Sequence, residues 1–344
     1  MILVKNIYHM LSYAFRCLKE GAFKALSDET ESFDNIDNLY AEILILGVTV
    51  QIKRGLLRDY IDATESLKCP HGKIELSESI KNISSQKREL VCSFQEYTEN
   101  ALLNRILKQT FAILLKSKDV THERKKKIHK LLTYFSCVEP IDLRFVDWNI
   151  HFNRCNATYQ MLIYICHWIY DEWLINHNQE TGTKRSYEDD QKMSRLYEKF
   201  VLEYFRREHP ELNANAPHLN WQLDDSIDKM LPIMKTDVTL EKENRILIID
   251  TKYYNSTLQS TYNSSTQHSH NMYQIFTYVK NLAYETQTAN KTVSGMLLYA
   301  KTNEVISPDQ DYKMSGNRIS VKSLDLNKDF NEIRRQLDAI AKIV

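Results

Sequence analysis

Three residues able to carry hydrolytic chemistry interrupt otherwise apolar runs: Asp237 in LPIMKTDVTL, then Asp250 and Lys252 in ILIIDTKYY. Only the polar stretch Glu241-Lys242-Glu243-Asn244 separates the runs, which therefore read as an antiparallel hairpin. Alternation along a strand puts Asp250 and Lys252 on one face and Leu247, Ile249 and Thr251 on the other. By the same rule Met234, Val238 and Leu240 lie opposite Asp237. If the turn pairs Leu240 with Arg245, Asp237 is diagonal to Asp250 on one side of the sheet, roughly 7–8 Å away at the backbone. Both acids then point away from the inferred core, close enough to lean onto one cation. Two acids and a lysine converging at the end of a buried hairpin are the arrangement of a metal-dependent phosphodiesterase. A cation held by carboxylates makes water nucleophilic near neutral pH and relieves transition-state charge. Hard oxygen ligands select Mg2+, or Mn2+, over zinc.

The acid-any-lysine pattern alone is common, recurring at Glu123-Arg124-Lys125, Asp190-Gln191-Lys192 and Asp311-Tyr312-Lys313. None of these follows a β-branched apolar run or has a second acid on a neighbouring strand. The plain alternative is that Asp250 and Lys252 are the solvated end of an ordinary buried strand. Two flanking helices weigh against it. Met193, Leu196, Tyr197, Phe200, Val201, Tyr204 and Phe205 recur at helical spacing, with Glu198 at the edge of that apolar face. Downstream, HNMYQIFTYVKNLAYE predicts a helix with Met272, Ile275, Val279 and Leu282 as its stripe and Gln274 and Tyr278 on one face. Strands over 293–299 and 318–324 and a closing helix over 330–343 complete the order helix, hairpin, helix, two strands, helix. That order is compatible with a restriction-nuclease-like α/β core.

Composition narrows the reading. Lys plus Arg and Asp plus Glu both number 45 in 344 residues, a net charge of +0. A self-sufficient duplex binder usually carries a basic excess, because phosphate neutralisation supplies most non-specific affinity. If this chain cuts DNA, something else is expected to deliver it. Two domains are expected at this length. No apolar stretch reaches the ~18 residues of a membrane span. No signal peptide is visible, and six scattered cysteines read as reduced, buried thiols of a cytoplasmic protein. Glycine is scarce, with no phosphate-cradling loop, so the chain itself is not expected to bind nucleotide.

Elsewhere, residues 100–132 have a helical pattern ending in Arg124, Lys125, Lys126, Lys127 and Lys130, which reads as a solvated face. The aromatic-rich helix over 158–174 reads as core, and the polar stretch 176–192 as a linker or loop. His268 and His270 lack a third ligand and read as loop residues, with His268 a candidate neighbour of the metal site.

The Asp237…Asp250-Thr251-Lys252 constellation resembles the PD-(D/E)XK nuclease signature, and the Gln274-to-Tyr278 spacing resembles the extra helix motif of its RecB-like branch. VKNIYHMLSYAF (4–15) resembles the opening of the McrC family, the nuclease subunit of McrBC modified-cytosine restriction systems. KRGLLRDY (53–60), HGKIE (71–75), NALLNRILKQT (100–110), LYEKFVLEYFRRE (196–208) and MYQIFTY (272–278) agree with that family. The resemblance implies an α+β N-terminal domain (1–155) that docks on a hexameric AAA+ GTPase of McrB type and stimulates it, with His71, Arg54 and Lys73 assigned to partner contact. An α/β restriction-endonuclease-like domain (156–344) would follow. Its expected ligands are Asp237, Asp250 and the Thr251 carbonyl. Lys252 would orient the attacking water, Glu198 would hold a water or a second cation, and Gln274 and Tyr278 would position the site. The substrate implied is modified double-stranded DNA, with self-association through the nuclease domain. The competing readings are a stand-alone repair nuclease and a nuclease-inactive scaffold that activates the GTPase.

Overall fold

The computed structural model describes residues 3–15, 35–84, 89–177, 182–225, 229–253, 259–261, 264–266, 269–301 and 308–344. The chain forms two compact units, one of residues 33–179 and one of residues 1–32 with 180–344. The division differs from the expected one at 155. Helix α1 (Val4–Ala14), expected in the core of the first domain, belongs to the second unit. Its aromatic face explains why: Tyr13 packs against Phe200 and Tyr204, and His9 stacks on Phe330 at 4.0 Å. Asn6 fixes the register by donating from Nδ2 to the carbonyls of Leu326 and Lys328, both at 2.8 Å.

The unit of residues 33–179 is built around α2 (Ile36–Arg54), whose start is capped by the Asn35 side chain accepting from Asn38 N at 2.8 Å. Leu39, Tyr40, Ile43, Leu44 and Val48 are all buried, as suits a helix covered on several sides. Gly47 lets a neighbour approach closely, since a Cβ there would lie 2.3 Å from Leu162 Cδ2. Strands β1 (Asp59–Leu67), β2 (Lys73–Ile74) and β3 (Leu90–Thr98) form a sheet of order β1-β3-β2, with α3 (Leu76–Ser84) against β3. Asn104, fully buried, donates to the carbonyls of Leu57 and Glu99, both at 2.8 Å, and so holds the two roots of the β1–β3 ribbon together.

The helical pattern over 100–132 is two helices, α4 (Leu102–Lys116) and α5 (His122–Leu132), followed by α6 (Gln160–His177). The basic run at the head of α5 is not simply a solvated face. Arg124 Nε meets Glu42 Oε2 at 2.9 Å with both side chains largely covered, and Lys125 Nζ donates to the Ser117 carbonyl. The cysteines also depart from expectation: Cys92 and Cys166 are buried, but Cys69, Cys137 and Cys155 are exposed free thiols. No helix among the described residues is long and apolar enough to cross a membrane.

In the second unit α7 runs from Gly182 to Glu208, so the described part of the stretch expected to be a loop is helical from Gly182 onward. Then come β4 (His218–Leu219), β5 (Met234–Lys235), β6 (Val238–Lys242), β7 (Arg245–Tyr253), a small β8 (Gln259–Thr261) and β9 (Ser264–Thr266) pair, α8 (Ser269–Glu285), β10 (Thr292–Lys301), β11 (Gln310–Met314), β12 (Asn317–Asp325) and α9 (Phe330–Ala341). The five-stranded sheet has the order β11-β12-β10-β7-β6. Its central pairs β7/β10 and β10/β12 are parallel and the outer two antiparallel.

Two expectations about the hairpin change. Lys242 pairs with Arg245 and Leu240 with Leu247, so the connection is a two-residue turn with Glu243 in the left-handed region at φ 51°. The last ladder pair is Val238 with Ile249, and extending it sets Asp237 directly opposite Asp250, nearer than a diagonal. Nor does Asp250 point away from the core. Ile246 and Ile248, on its face, pack with Ile275, Tyr278 and Val279 of α8, so this is a covered face of the sheet. A parallel sheet core is covered on both sides, and facing away from one helical layer means facing the other.

Candidate active site

Asp250 lies near the end of the buried part of β7 with only 1% of its surface exposed. Among the described residues neither carboxylate oxygen has a hydrogen-bond partner. Lys252 Nζ lies 2.8 Å from Oδ2, an ion pair without the direction of a hydrogen bond. Burial pushes the Asp250 pKa up to about 7, with Asp237 and Glu198 adding to the rise and Lys252 opposing it. A buried carboxylate lacking donors is costly unless something compensates its charge.

Asp237 sits just before β6. Its Oδ2 accepts from the Thr251 amide at 2.7 Å and the Thr251 hydroxyl at 2.8 Å, which locks the carboxylate beside β7. Glu198, half-buried on α7, belongs to the same cluster. Burial raises its pKa first and the charge of Asp237 second, while Lys235, Lys252 and Arg195 pull it down. The sequence reading did not include Lys235 or Arg195. Their signals were there: Lys235 alternates with Asp237 on one strand side, and Arg195 is one helical turn before Glu198.

On the other side α8 supplies a chain of hydrogen bonds. Lys252 Nζ donates to Gln274 Oε1 at 3.0 Å, and Gln274 Nε2 donates to the Tyr278 hydroxyl at 3.0 Å. The four-residue spacing thus delivers one connected line from the sheet to the helix. Asn271, one turn earlier, donates to the Tyr299 hydroxyl at 3.0 Å; both are buried, and Tyr299 is the ladder neighbour of Lys252. This pair was not anticipated, because a buried Tyr on an apolar strand carries no separate signal. His270 is exposed at the start of α8, and His268 lies outside the described residues.

The structure therefore brings together Asp237, Asp250, Thr251, Lys252, Glu198, Gln274 and Tyr278. Among the described residues no group of three or more histidine, cysteine, aspartate or glutamate side chains is gathered to hold a metal ion. The donors present are two carboxylates and main-chain oxygen, hard ligands of the kind Mg2+ takes while keeping waters. The buried Asp250 carboxylate, met at Oδ2 by the Lys252 ammonium and with Oδ1 facing no donor among the described residues, is the feature that fits a cation.

The family model of the McrBC 5-methylcytosine restriction system component matches residues 5–300, and the chain belongs to that family. It is 29% identical over 348 residues to the type IV methyl-directed restriction enzyme EcoKMcrBC of Escherichia coli K12, covering 98% of this chain and 96% of that protein. A chain in the half-complex from the tetradecameric assembly of Thermococcus gammatolerans McrB AAA+ hexamers with bound McrC shares the fold, with a TM-score of 0.51, 17% identity and coverage of 98% of this chain and 76% of that one.

Proposed function

We propose that the chain is the endonuclease subunit of a GTP-dependent McrBC-type restriction complex, hydrolysing phosphodiester bonds in DNA that carries modified cytosine. The observation that carries this reading is the buried Asp250 carboxylate, set opposite Asp237 and paired with Lys252 at one end of a mixed sheet compatible with the PD-(D/E)XK fold. Asp237, Asp250 and the Thr251 carbonyl would hold Mg2+ or Mn2+, which would supply Lewis acidity at the scissile phosphate. Thr251 fixes Asp237 through two hydrogen bonds, so that carboxylate needs no reorganisation before use. Gln274 holds the Lys252 ammonium, which would orient the attacking water and meet the charge developing on the phosphoryl oxygens. Tyr278 fixes the Gln274 amide. Glu198 holds a water at the edge of the site or a second cation.

Membership of the McrBC family, the description of the Thermococcus assembly and the net charge of +0 support delivery of DNA by an AAA+ GTPase ring. The unit of residues 33–179 is the docking part in this reading. Lys73, exposed and ion-paired with Glu75 at 2.9 Å, and the exposed Arg54 are its first contact candidates. An exposed pair of that kind exchanges partners at little cost, and an arginine can act in trans on a nucleotide site. Self-association through the other unit and a cytoplasmic location complete the proposal. The second reading, a nuclease-inactive activator of the GTPase, is favoured by the lack of three ligating side chains among the described residues. The two part on one experiment: the chain mixed with its GTPase, GTP, Mg2+ and methylated DNA. Cleavage that disappears in Lys252→Ala while GTP turnover stays stimulated supports the nuclease; stimulation without cleavage by the unsubstituted chain supports the scaffold.

A further inference from the structure

Burial alternates through the segment that leads into the acid cluster. Ile233 and Lys235 are exposed, Met234 and Thr236 are buried, and Asp237 is half-buried. Ile233 and Lys235 therefore share the exposed side of the backbone, with the candidate metal ligand Asp237 two residues on, at the bend between β5 and β6. The segment is held firmly. Met234 and Lys235 pair with Leu219 and His218, the Thr236 amide donates to the Pro217 carbonyl at 3.1 Å, and Trp221 Nε1 donates to the Pro232 carbonyl at 2.7 Å. Gln222 N is tied to Asn281 of α8 at 2.8 Å. Beyond these ties Met230 is 100% exposed and Ile233 77% exposed. A soluble surface rarely presents large apolar residues together without a partner.

We propose that Lys235 and the Met230–Ile233 tip form a track that positions a nucleic-acid strand in the acid site, Lys235 holding a phosphate beside the scissile one and the apolar tip meeting bases or sugars. The inference rests on the nuclease reading of Asp237 and Asp250. Lys235 is two residues, about 7 Å, from Asp237 along the backbone. Ile233 is within about 14 Å at full extension. Apolar side chains flanked by lysine are the chemistry by which proteins wedge into base steps. Lys229, also exposed, adds a second cation at the tip; Asp224 and Asp225 on the other limb of the loop repel phosphate and confine the contact to the 229–235 limb.

The test is fluorescence anisotropy with the full chain and a short fluorescein-labelled duplex in Ca2+ at several salt concentrations, so that binding is read without cleavage. Lys235→Ala should lower the slope of log affinity against log salt by about one. Lys235→Arg should restore it. The Met230→Ser/Ile233→Ser pair should weaken binding about tenfold with the slope unchanged. An unchanged slope in Lys235→Ala overturns the phosphate role. A tip variant that binds DNA normally but changes oligomeric state or assembly with the GTPase assigns the tip to a protein contact and overturns the base role. A chain that shows these binding effects yet never cleaves with Mg2+ and its partner would keep the track and refute the nuclease reading instead.

Discussion

The carboxylate of Asp237 accepts two hydrogen bonds from Thr251, from its backbone amide at 2.7 Å and its side-chain hydroxyl at 2.8 Å. Thr251, the residue between Asp250 and Lys252, thus aims Asp237. Thr251→Val keeps the amide bond and deletes the hydroxyl one without changing size much. Metal affinity, read by calorimetry with Mn2+, should fall about tenfold or more, the usual cost of removing a group that orients a ligand. An affinity equal to that of the parent would leave the hydroxyl without a role in the site.

Asp250 links stability to pH with a clear sign. Its pKa is about 7 in the fold, against an ordinary 3.8, so the folded chain retains a proton that the unfolded chain releases between those values. Stability of the metal-free protein therefore falls as pH rises from about 4 to 7. Asp250→Asn removes that penalty and should raise Tm at pH 8 but not near pH 4, by an amount corresponding to about 2–4 kcal/mol. Mg2+ should raise the Tm of the parent chain at pH 8 and leave Asp250→Asn unmoved. Thermal scans across pH, with and without Mg2+, check both.

The Lys252–Gln274–Tyr278 line separates positioning from binding. Lys252→Ala should retain Mn2+ binding and lose nearly all turnover. Gln274→Ala frees the ammonium without removing it, so kcat should fall about tenfold to a hundredfold with KM little changed. Single-turnover cleavage by the assembled complex measures this; a change confined to KM would place Gln274 in substrate binding instead.

How much of this was legible before the structure depends on what each signal requires. Periodicity located the hairpin, α8, β10, β12 and α9, because those elements bury one consistent face. The acids and lysine were legible as polar residues in apolar strands. The register was not, since a four-residue polar stretch accommodates either turn length and only the left-handed Glu243 selects the shorter one. The placement of α1 was also hidden: an amphipathic helix says that it buries a face, not which distant residues, here Phe200, Tyr204 and Phe330, will cover it. The basic run misled for a related reason. A charge pattern does not reveal that Glu42, far away in sequence, waits for Arg124.

That ion pair yields a prediction for the unit of residues 33–179. Glu42 faces both Arg124 at 2.9 Å and Lys127 at 3.8 Å, with only 11% of its side chain exposed. Glu42→Ala takes the carboxylate partner from a mostly buried guanidinium and should destabilise this unit by about 3 kcal/mol. Urea unfolding of the full chain should show the transition of this unit shifted, while Mn2+ binding at the other unit is retained at low urea.

The central claim is that Asp237 and Asp250 together hold a divalent cation. Its most direct test is a crystal of the chain soaked in Mn2+ and measured for anomalous scattering at the manganese edge. A strong peak is expected within coordinating distance of both carboxylates, with Lys252 moved off Asp250 toward the substrate side, and no such peak in Asp250→Asn. A crystal saturated with Mn2+ that shows no peak there, with Lys252 still paired to Asp250, would contradict it.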